Sequence, residues 1–417
     1  MIVDDQPMLG SVEAVGRALS AVEGREATVR AWAHLAPELA QDRARAVDRR
    51  PDRPLRGIVL GAKDVFDTGD MPTEYGSVIY RGHRPRADAA VVAQLQLAGA
   101  VCLGKTVTAE FAVVTPGPTT NPHRASHTPG GSSMGSAAAV ATGMADLALG
   151  TQTAGSIIRP ASFCGVYGYK PTFGSVSIAG LKLVAPSLDT VGFFGRSVAV
   201  IDRARVVVTG RMPAEAQEAP PCIGVYRTEH WDLLERDGRR ALDAAALFAR
   251  GAGAAVSEVS APDGHLRLGE QQPKVMAYEA SRALAWERVH HSAILSPALR
   301  DLLDWGSRIP ASAYDEAKER GMHAARGHSQ LFGTADVLLT PAVPGEAPEG
   351  LASTGDPRFA RMWTLLGYPT LSVPGLTGAS GLPIGVQLVG RPGDDARLLA
   401  VGAWLGRILD EAPPGTS

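Results

Sequence analysis

Two short turns that carry serine have the residue types needed to attack a carbonyl carbon. They are Gly130-Gly131-Ser132-Ser133 and Ala154-Gly155-Ser156, and between them lies an uncharged, alanine-rich run over residues 137–144. Such a run is typical of a buried helix that begins at a serine-rich turn. Small residues let a substrate carbonyl approach the main chain, so the turns could supply both a nucleophile and backbone N–H donors for an oxyanion.

The base that would activate such a serine is indicated elsewhere in the sequence. No histidine motif accompanies either serine, so a Ser-His-Asp triad is not favoured. Lys63 instead stands inside an apolar run over residues 57–67, and a buried lysine can lose its proton near neutral pH. Taken alone, Lys63 could also be a surface lysine paired with Asp64 or Asp67, and the Gly-Gly-Ser-Ser turn could be a helix cap.

Taken together, Lys63 and the two serine turns resemble the amidase signature family of Ser-cisSer-Lys hydrolases in order and spacing. The resemblance runs almost from end to end of the chain. Further similar stretches are residues 104–112, 163–172, 187–192 and 381–390. Two more stretches, residues 71–81 and 351–358, look closest to the malonamidase branch of the family.

The resemblance implies an α/β fold, the amidase signature fold, in which a central mixed, mostly parallel β-sheet has helices on both faces. The alternation of strand-like and helical patterns along the chain favours the same architecture. We expect one amidase domain over residues 1–417. Its parts are N-terminal helices (1–55), catalytic core motifs (56–200), a variable helical cover (201–335) and closing strands and helices (336–417).

The resemblance also implies a role for each site residue. Ser156 is expected to attack the carbonyl, and a neutral Lys63 amine to accept its proton through Ser132. The peptide bond between Gly131 and Ser132 is expected to be cis, with Ser133 donating a supporting hydrogen bond. The oxyanion hole is expected to consist of the backbone N–H groups of Thr153, Ala154, Gly155 and Ser156.

Two residues beside the serines depart from the usual family pattern. Ala154 stands where glycine is usual, and Met134 replaces a glycine after the serine pair. If the backbone at position 154 needs a positive φ, an alanine there is strained by roughly 1 kcal/mol. Either change could retune or lower activity, but neither removes a reacting group.

Arg159 is the residue that says most about the substrate. It follows Ser156 by three positions, as in the malonamidase branch, whereas the commoner family pattern places arginine two positions after the serine. A fixed guanidinium near the scissile carbonyl could bind a substrate carboxylate through two hydrogen bonds. A structural ion pair with an acidic residue is the alternative that the sequence leaves open.

Two other motifs have a structural interpretation. Residues 99–106 match the letters of a phosphate-binding loop, but a helical pattern precedes them and an apolar run separates the glycines. We therefore expect Lys105 to open a loop to the next helix. His123 and His127 have the spacing of metal ligands, but prolines flank them and no acidic or cysteine partner is positioned, so we expect loop residues and no metal site.

The composition describes an ordinary soluble globule. Its 41 basic residues are balanced by 43 acidic ones, so neither charge nor pattern favours nucleic acid. No apolar stretch is long enough to span a membrane, and residues 1–7 lack the pattern of a signal peptide. Three cysteines in apolar sequence favour buried free thiols and a cytoplasmic location.

The leading hypothesis is a cofactor-independent amidase that hydrolyses the C–N bond of a small amide, with a carboxylate-bearing, malonamate-like substrate favoured. A carbamate, aryl-amide or ester hydrolase with the same triad is the first alternative. An amidase-like subunit of a transamidation complex is the second, and a non-catalytic binding protein is the third. The expected partners are a small amide or carbamate and, from family habit, a second copy of the chain.

Overall fold

One β-sheet of eleven strands organises the chain in the computed structural model, which describes residues 9–411. The strands are β1 (Trp32–Leu35), β2 (Val59–Lys63), β3 (Val101–Thr106), β4 (Leu147–Gln152), β5 (Tyr167–Lys170), β6 (Thr190–Gly195), β7 (Cys222–Val225), β8 (Ala255–Glu258), β9 (Val337–Pro341), β10 (Thr370–Thr377) and β11 (Pro383–Val389). Their order across the sheet is β1-β3-β2-β4-β6-β5-β10-β11-β9-β7-β8.

Fourteen α-helices are found among the described residues. They are α1 (Ser11–Val29), α2 (Pro37–Asp48), α3 (Ala90–Leu97), α4 (Met134–Ala141), α5 (Ile158–Cys164), α6 (Val198–Thr209), α7 (Arg236–Gly251), α8 (Gln272–Ala283), α9 (Ala285–His290), α10 (Pro297–Arg308), α11 (Ala311–Arg326), α12 (His328–Phe332), α13 (Arg358–Leu365) and α14 (Asp395–Asp410). None of these helices in residues 9–411 is both long and apolar enough to cross a membrane.

The sheet is mixed, as predicted, but it is not mostly parallel. Strand β2 is parallel to β3 and β4, and β7 is parallel to β8 and β9. The six other pairings are antiparallel. Antiparallel neighbours need no crossover helix, and β5–β6 and β10–β11 follow one another in the chain without an intervening α-helix. This antiparallel centre joins two parallel groups, β3-β2-β4 and β9-β7-β8, and β1 adds to the first group as an antiparallel edge strand.

Helices cover both faces of the sheet, as predicted. Successive side chains of a strand point to opposite faces, so each strand can contribute to a core on both sides. Leu147 and Leu149 of β4 belong to the core that contains residues of α3, α6, α7 and α14. Ala148 lies in the second core, together with residues of α1, α2, α4 and α5. The alanines of α4 let that helix pack closely against the sheet.

The predicted N-terminal helices are present as α1 and α2, but an unpredicted strand separates them. Trp32, which falls within the stretch expected to hold only N-terminal helices, lies in β1, which pairs antiparallel with β3 at the edge of the sheet. Gly104 permits this close approach, because a Cβ atom there would lie 2.3 Å from the His34 carbonyl oxygen. Residues 1–7, the basis for expecting no signal peptide, lie outside the described residues.

The expectation that Lys105 opens a loop is wrong. Lys105 lies within β3, fully buried, and its Nζ atom is 3.2 Å from Asp64 Oδ1. The same nitrogen donates to the carbonyl oxygen of Phe66 and to the hydroxyl of Thr73. Because a buried ammonium needs such partners, this lysine fastens the segment after β2 to the sheet, and no phosphate-binding loop forms.

The two histidines with metal-ligand spacing lie in a loop, as predicted. His123 Nε2 is 2.9 Å from the Cys164 carbonyl oxygen, and His127 Nδ1 is 2.9 Å from the Ser126 hydroxyl. Across residues 9–411, no group of three or more His, Cys, Asp or Glu side chains is arranged to hold a metal ion.

Packing between α8 and α10 offers a test of the fold. Gly306 of α10 lies against the backbone of α8, since a Cβ atom there would be 1.9 Å from the Ala277 carbonyl oxygen. We expect Gly306→Ala to lower the free energy of unfolding by about 1–3 kcal/mol. Gly16→Ala in α1, where no atom lies within 4 Å of the added Cβ, should raise it by about 0.5–1 kcal/mol. Urea denaturation of both variants checks this, and equal shifts would contradict it.

Candidate active site

The predicted lysine and serines converge at one edge of the sheet. Lys63 is the last residue of β2, Ser132 precedes α4, and Ser156 follows β4. Strands β2 and β4 are parallel neighbours, so their carboxyl ends reach the same edge. Lys63 Nζ donates to Ser132 Oγ at 2.9 Å and to Thr151 Oγ1 at 2.7 Å.

The environment of Lys63 favours its neutral form. The side chain is completely buried, and this loss of solvation lowers the pKa of Lys63 to about 7, although the charge of Asp189 opposes the shift. Pairing with Asp64 or Asp67 is not found: Asp64 lies against Lys105, and Asp67 accepts a hydrogen bond from a tyrosine hydroxyl. Near pH 7 a large fraction of the amine can therefore accept a proton.

The turn that carries Ser132 is held tightly. The Gly131–Ser132 peptide bond is cis, as the resemblance implies. The Ser133 hydroxyl donates to the Thr151 carbonyl oxygen and accepts from the Thr151 N–H, both at 3.3 Å. A Cβ atom on Gly131 would lie 2.6 Å from Thr354 Cγ2, so the turn has room only for glycine there.

Met134, one of the two departures from the family pattern, fills space beside this turn. Its side chain is buried against Val107 and Ala109, and its sulfur accepts a hydrogen bond from the Gly117 N–H at 3.2 Å. Methionine adapts well to irregular gaps of this kind. The substitution therefore contributes packing at the start of α4 and leaves the serine hydroxyls in place.

The Ser156 turn presents a serine hydroxyl and backbone N–H groups that have no partner in the described part of the chain. Ser156 is 7% exposed. Within residues 9–411 its hydroxyl makes no hydrogen bond, so the expected hydrogen bond between Ser156 and Ser132 is not formed. Catalytic hydrogen bonds often shorten only when substrate binds. The N–H groups of Ala154, Gly155 and Ser156 likewise have no acceptor among the described residues, as an oxyanion hole requires.

Ala154 is not strained. Six non-glycine residues in the described part of the chain have a positive φ, and Ala154 is not one of them. The strain considered from the sequence therefore does not arise. Neighbouring Gly155 also lies outside the left-handed region; a Cβ atom there would be 3.1 Å from Pro357 Cβ.

Asp189 is a site residue that sequence reasoning missed. It is buried, and its Oδ1 atom accepts from the Thr153 hydroxyl at 2.5 Å. Its Oδ2 atom accepts from the N–H groups of Val184 and Ala185. Burial raises the pKa of Asp189, while these hydrogen bonds oppose the shift. Its position in the family-like stretch 187–192 was the available signal.

Arg159 is buried and has no carboxylate partner. Its Nη2 atom donates to the Gly131 carbonyl oxygen at 2.7 Å and to Thr354 Oγ1 at 3.0 Å. The Nε and Nη1 atoms are buried without a partner among the described residues. The ion pair that the sequence left open is not found, since neighbouring Asp356 pairs with Arg358. Burial lowers the pKa of Arg159 to about 10, so the guanidinium stays charged at neutral pH.

Comparison with known proteins shows the family to which the chain belongs. A family model described as Amidase matches residues 13–399. This chain belongs to the amidase signature family. Crystal structures with the same fold include an amidase at 30% identity and a TM-score of 0.87, covering 96% of each chain. Another is the peptide amidase from Stenotrophomonas maltophilia, at 29% identity and a TM-score of 0.80, covering 97% of this chain and 95% of that one.

Among curated relatives, components of an amidotransferase are similar over most of their length. The A subunit of Glutamyl-tRNA(Gln) amidotransferase from Chloroflexus aggregans is 34% identical, covering 96% of this amidase-family chain and 94% of the relative. That of Anaeromyxobacter sp. is 33% identical, with 97% and 94% covered. The first alignment spans 460 positions, more than the 417 residues of this chain, so that relative carries additional residues within the aligned span.

The pKa of Lys63 gives a pH prediction. A neutral amine is needed to accept a proton, so the rate at which a fluorophosphonate labels Ser156 should rise with pH around a midpoint of about 7. Asp189→Asn should move this midpoint to lower pH, because the charge that raises the pKa of Lys63 is removed. Labelling rates measured from about pH 5 to about pH 10 check this. A midpoint near 10 in the wild type, or no movement in the variant, would contradict it.

Proposed function

We propose that the chain is an amidohydrolase that cleaves the C–N bond of a small amide through an acyl-enzyme at Ser156. The observation that carries the proposal is the hydrogen bond between Lys63 Nζ and Ser132 Oγ, in a buried site where the pKa of the lysine is about 7. This pair lies next to a serine turn whose N–H groups have no acceptor within the described chain. A base, a relay hydroxyl, a nucleophile and oxyanion donors are thus in one place.

The proposed reaction follows from these groups. Ser156 Oγ attacks the amide carbon while its proton passes to Ser132, and the Ser132 proton passes to Lys63. The N–H groups of the turn stabilise the negative oxygen of the tetrahedral intermediate. The C–N bond then breaks as the departing nitrogen takes a proton through the same relay in reverse. Water then gives a proton to Lys63 through Ser132 and attacks the acyl group. The bond to Ser156 breaks, the acid leaves, and Ser156 Oγ regains the proton through the same relay.

Arg159 supports a substrate that carries a carboxylate. Its Nε and Nη1 atoms are buried without a partner in the described chain, and the guanidinium lies beside the turn that contains Ser132. A carboxylate that accepts from either nitrogen would satisfy it with a charge-assisted bond, which is stronger where water is excluded. We therefore propose a short amide acid, malonamate-like, as the substrate class. A carbamate, aryl amide or ester would use the same relay.

A second candidate is an amide-hydrolysing role within a larger complex. The 34% identity to the A subunit of Glutamyl-tRNA(Gln) amidotransferase favours it. The two candidates differ in what the isolated chain can do. Turnover of free amides by the purified chain supports the independent hydrolase, whereas turnover only after partner proteins are added supports the role within a complex. Native mass measurement separates either state from the homodimer expected by family habit.

The relay predicts a distinct pattern of losses. Ser156→Ala should abolish fluorophosphonate labelling and lower ammonia release from small amides by at least about 1000-fold. Lys63→Met should lower both by about 100- to 10000-fold, because the base is lost. Intact mass spectrometry measures the labelling, and a coupled assay measures the ammonia release. Together they check this prediction.

Lys170 provides the matched control for the lysine variant. It is a second fully buried lysine whose pKa is lowered to about 7, and its Nζ atom donates only to the Pro171 carbonyl oxygen among the described residues. Lys170→Met should leave labelling within about twofold of the wild type, since it is outside the relay. Equal losses in the Lys63 and Lys170 variants would contradict the proposed base, as would labelling that survives in Ser156→Ala.

The carboxylate contact predicts selectivity between two nearly isosteric amides. Malonamate carries a carboxylate where malonamide carries a second amide, so the wild type should have the higher kcat/KM for malonamate. Arg159→Met should reduce this ratio by about 10- to 100-fold, the value of a charge-assisted pair. Thr354→Val, which removes the hydroxyl that Arg159 Nη2 contacts but keeps the guanidinium, should retain most of the preference. A preference for malonamide, or an unchanged ratio in Arg159→Met, would contradict the assignment.

A further inference from the structure

Two side chains hold the turn over residues 153–156 by hydrogen bonds to its carbonyl oxygens. Gln272 Nε2 donates to the Thr153 carbonyl oxygen at 2.7 Å. Thr364 Oγ1 lies at 2.8 Å from the Ala154 carbonyl oxygen. Both donors are almost completely buried, and they come from different helices, α8 and α13. Two consecutive peptide groups are therefore fixed by side chains that lie far away in the sequence.

Fixing these carbonyls also fixes the direction of two N–H groups. Within residues 9–411 the only cis peptide bond is Gly131–Ser132, so the bonds on either side of Ala154 are trans. In a trans peptide the C=O and N–H bonds point in opposite directions. The Ala154 N–H must therefore point away from Gln272, and the Gly155 N–H away from Thr364. These are donors without an acceptor in the described chain.

We infer that Gln272 and Thr364 are positioning residues that direct the Ala154 and Gly155 N–H groups at the substrate oxyanion. The inference rests on the proposed function, because it assigns how that reaction's oxyanion hole is built. Donors that must stay open for the oxyanion cannot be held by protein acceptors of their own. The protein therefore holds the opposite end of each peptide, which keeps the donors preorganised.

The hydrogen bonds around Thr364 continue into the start of α5. Gln152 Nε2 donates to Thr364 Oγ1 at 3.0 Å, and Gln152 Oε1 accepts from the N–H groups of Ile157 and Ile158. Because Thr364 accepts from Gln152, its own hydrogen is directed to Ala154 O at 2.8 Å or to Ala360 O at 3.0 Å. When the hydrogen goes to Ala154 O, the nearer of the two, the Gly155 N–H becomes a stronger donor as well as a fixed one, because hydrogen bonds in such a chain polarise one another.

Packing against α13 also restricts the position of the turn over residues 153–156. A Cβ atom on Gly155 would lie 3.1 Å from Pro357 Cβ and 3.4 Å from Ala360 Cβ. The beginning of α13 therefore abuts the turn one helical turn before Thr364. Helix α13 supplies both a steric support and a hydrogen-bond donor, while α8 supplies the second donor. Neither helix contributes a reacting group in the proposed reaction.

Substitutions at Thr364 test the inference through the rate of fluorophosphonate labelling, because the phosphonyl oxygen gains charge as Ser156 attacks. Thr364→Val keeps the side-chain shape but removes the hydroxyl, so labelling should slow by about 10-fold, a fraction of the loss expected for a missing oxyanion donor. Thr364→Ser keeps the hydroxyl and should label within about twofold of the wild type. On any amide that is turned over, the loss in Thr364→Val should appear in kcat with little change in KM.

Thr370→Val is the matched control, because the Thr370 hydroxyl is buried without a partner in the described chain. It should label at the wild-type rate. Gln272→Met removes the other donor at nearly constant volume and should also slow labelling by about 10-fold, which keeps the test decisive if Thr364→Val does not fold. Thermal unfolding, monitored by circular dichroism, confirms that each variant is folded.

The outcomes separate the inference from the proposed function. Slow labelling in Thr364→Val and Gln272→Met, with normal labelling in Thr364→Ser and Thr370→Val, supports the inference. Wild-type labelling rates in folded Thr364→Val and Gln272→Met overturn it while leaving the hydrolase intact, as does a loss in Thr370→Val as large as theirs. A wild type that is not labelled, or labelling that persists in Ser156→Ala, overturns the proposed function and the inference with it.

Discussion

The Lys63 amine lies at the carboxyl end of β2 with two hydroxyls in contact and no carboxylate of the described chain beside it. Two other buried lysines show what this arrangement avoids. Lys105 has Asp64 at 3.2 Å, a partner that stabilises the ammonium. Lys170 donates to a carbonyl oxygen, and among the described residues its amine contacts no hydroxyl that could pass it a proton. Among these three lysines, Lys63 alone combines burial with a serine hydroxyl, and that combination makes it suitable as a base.

A carboxylate is present nearby but is used indirectly. Asp189 accepts hydrogen bonds from Thr153 and from the N–H groups of Val184 and Ala185. Its charge raises the pKa of Lys63 without an ion pair between them. The same residue thus orders the first residue of the turn and limits how far the lysine pKa falls. Electrostatics and positioning at this edge of the sheet are coupled through one side chain.

The sequence predicts the parts of the site that lie in continuous motifs. The lysine, both serines and Arg159 lie at one edge of the sheet, close to the Ser132 turn. The sequence did not predict the features that depend on residues distant in the chain. Strand β1 forms by pairing with β3, and the Lys105 ammonium is stabilised by Asp64. The antiparallel centre follows from the order of the strands. Gln272 and Thr364 reach the turn from 119 and 210 residues away, and neither belongs to a motif that marks it.

The placement of Gln272 at the first residue of α8 matters for protein engineering. Residues 201–335 were expected to form a variable helical cover, and such a cover is the natural segment to exchange between relatives. Yet this segment also holds the Thr153 carbonyl oxygen. Under the proposed positioning role of Gln272, a chimaera that replaces α8 without a donor at its start would lose rate through the Ser156 turn, even if its new pocket fitted the new substrate well. On that proposal, the cover and the core motifs are not independent modules.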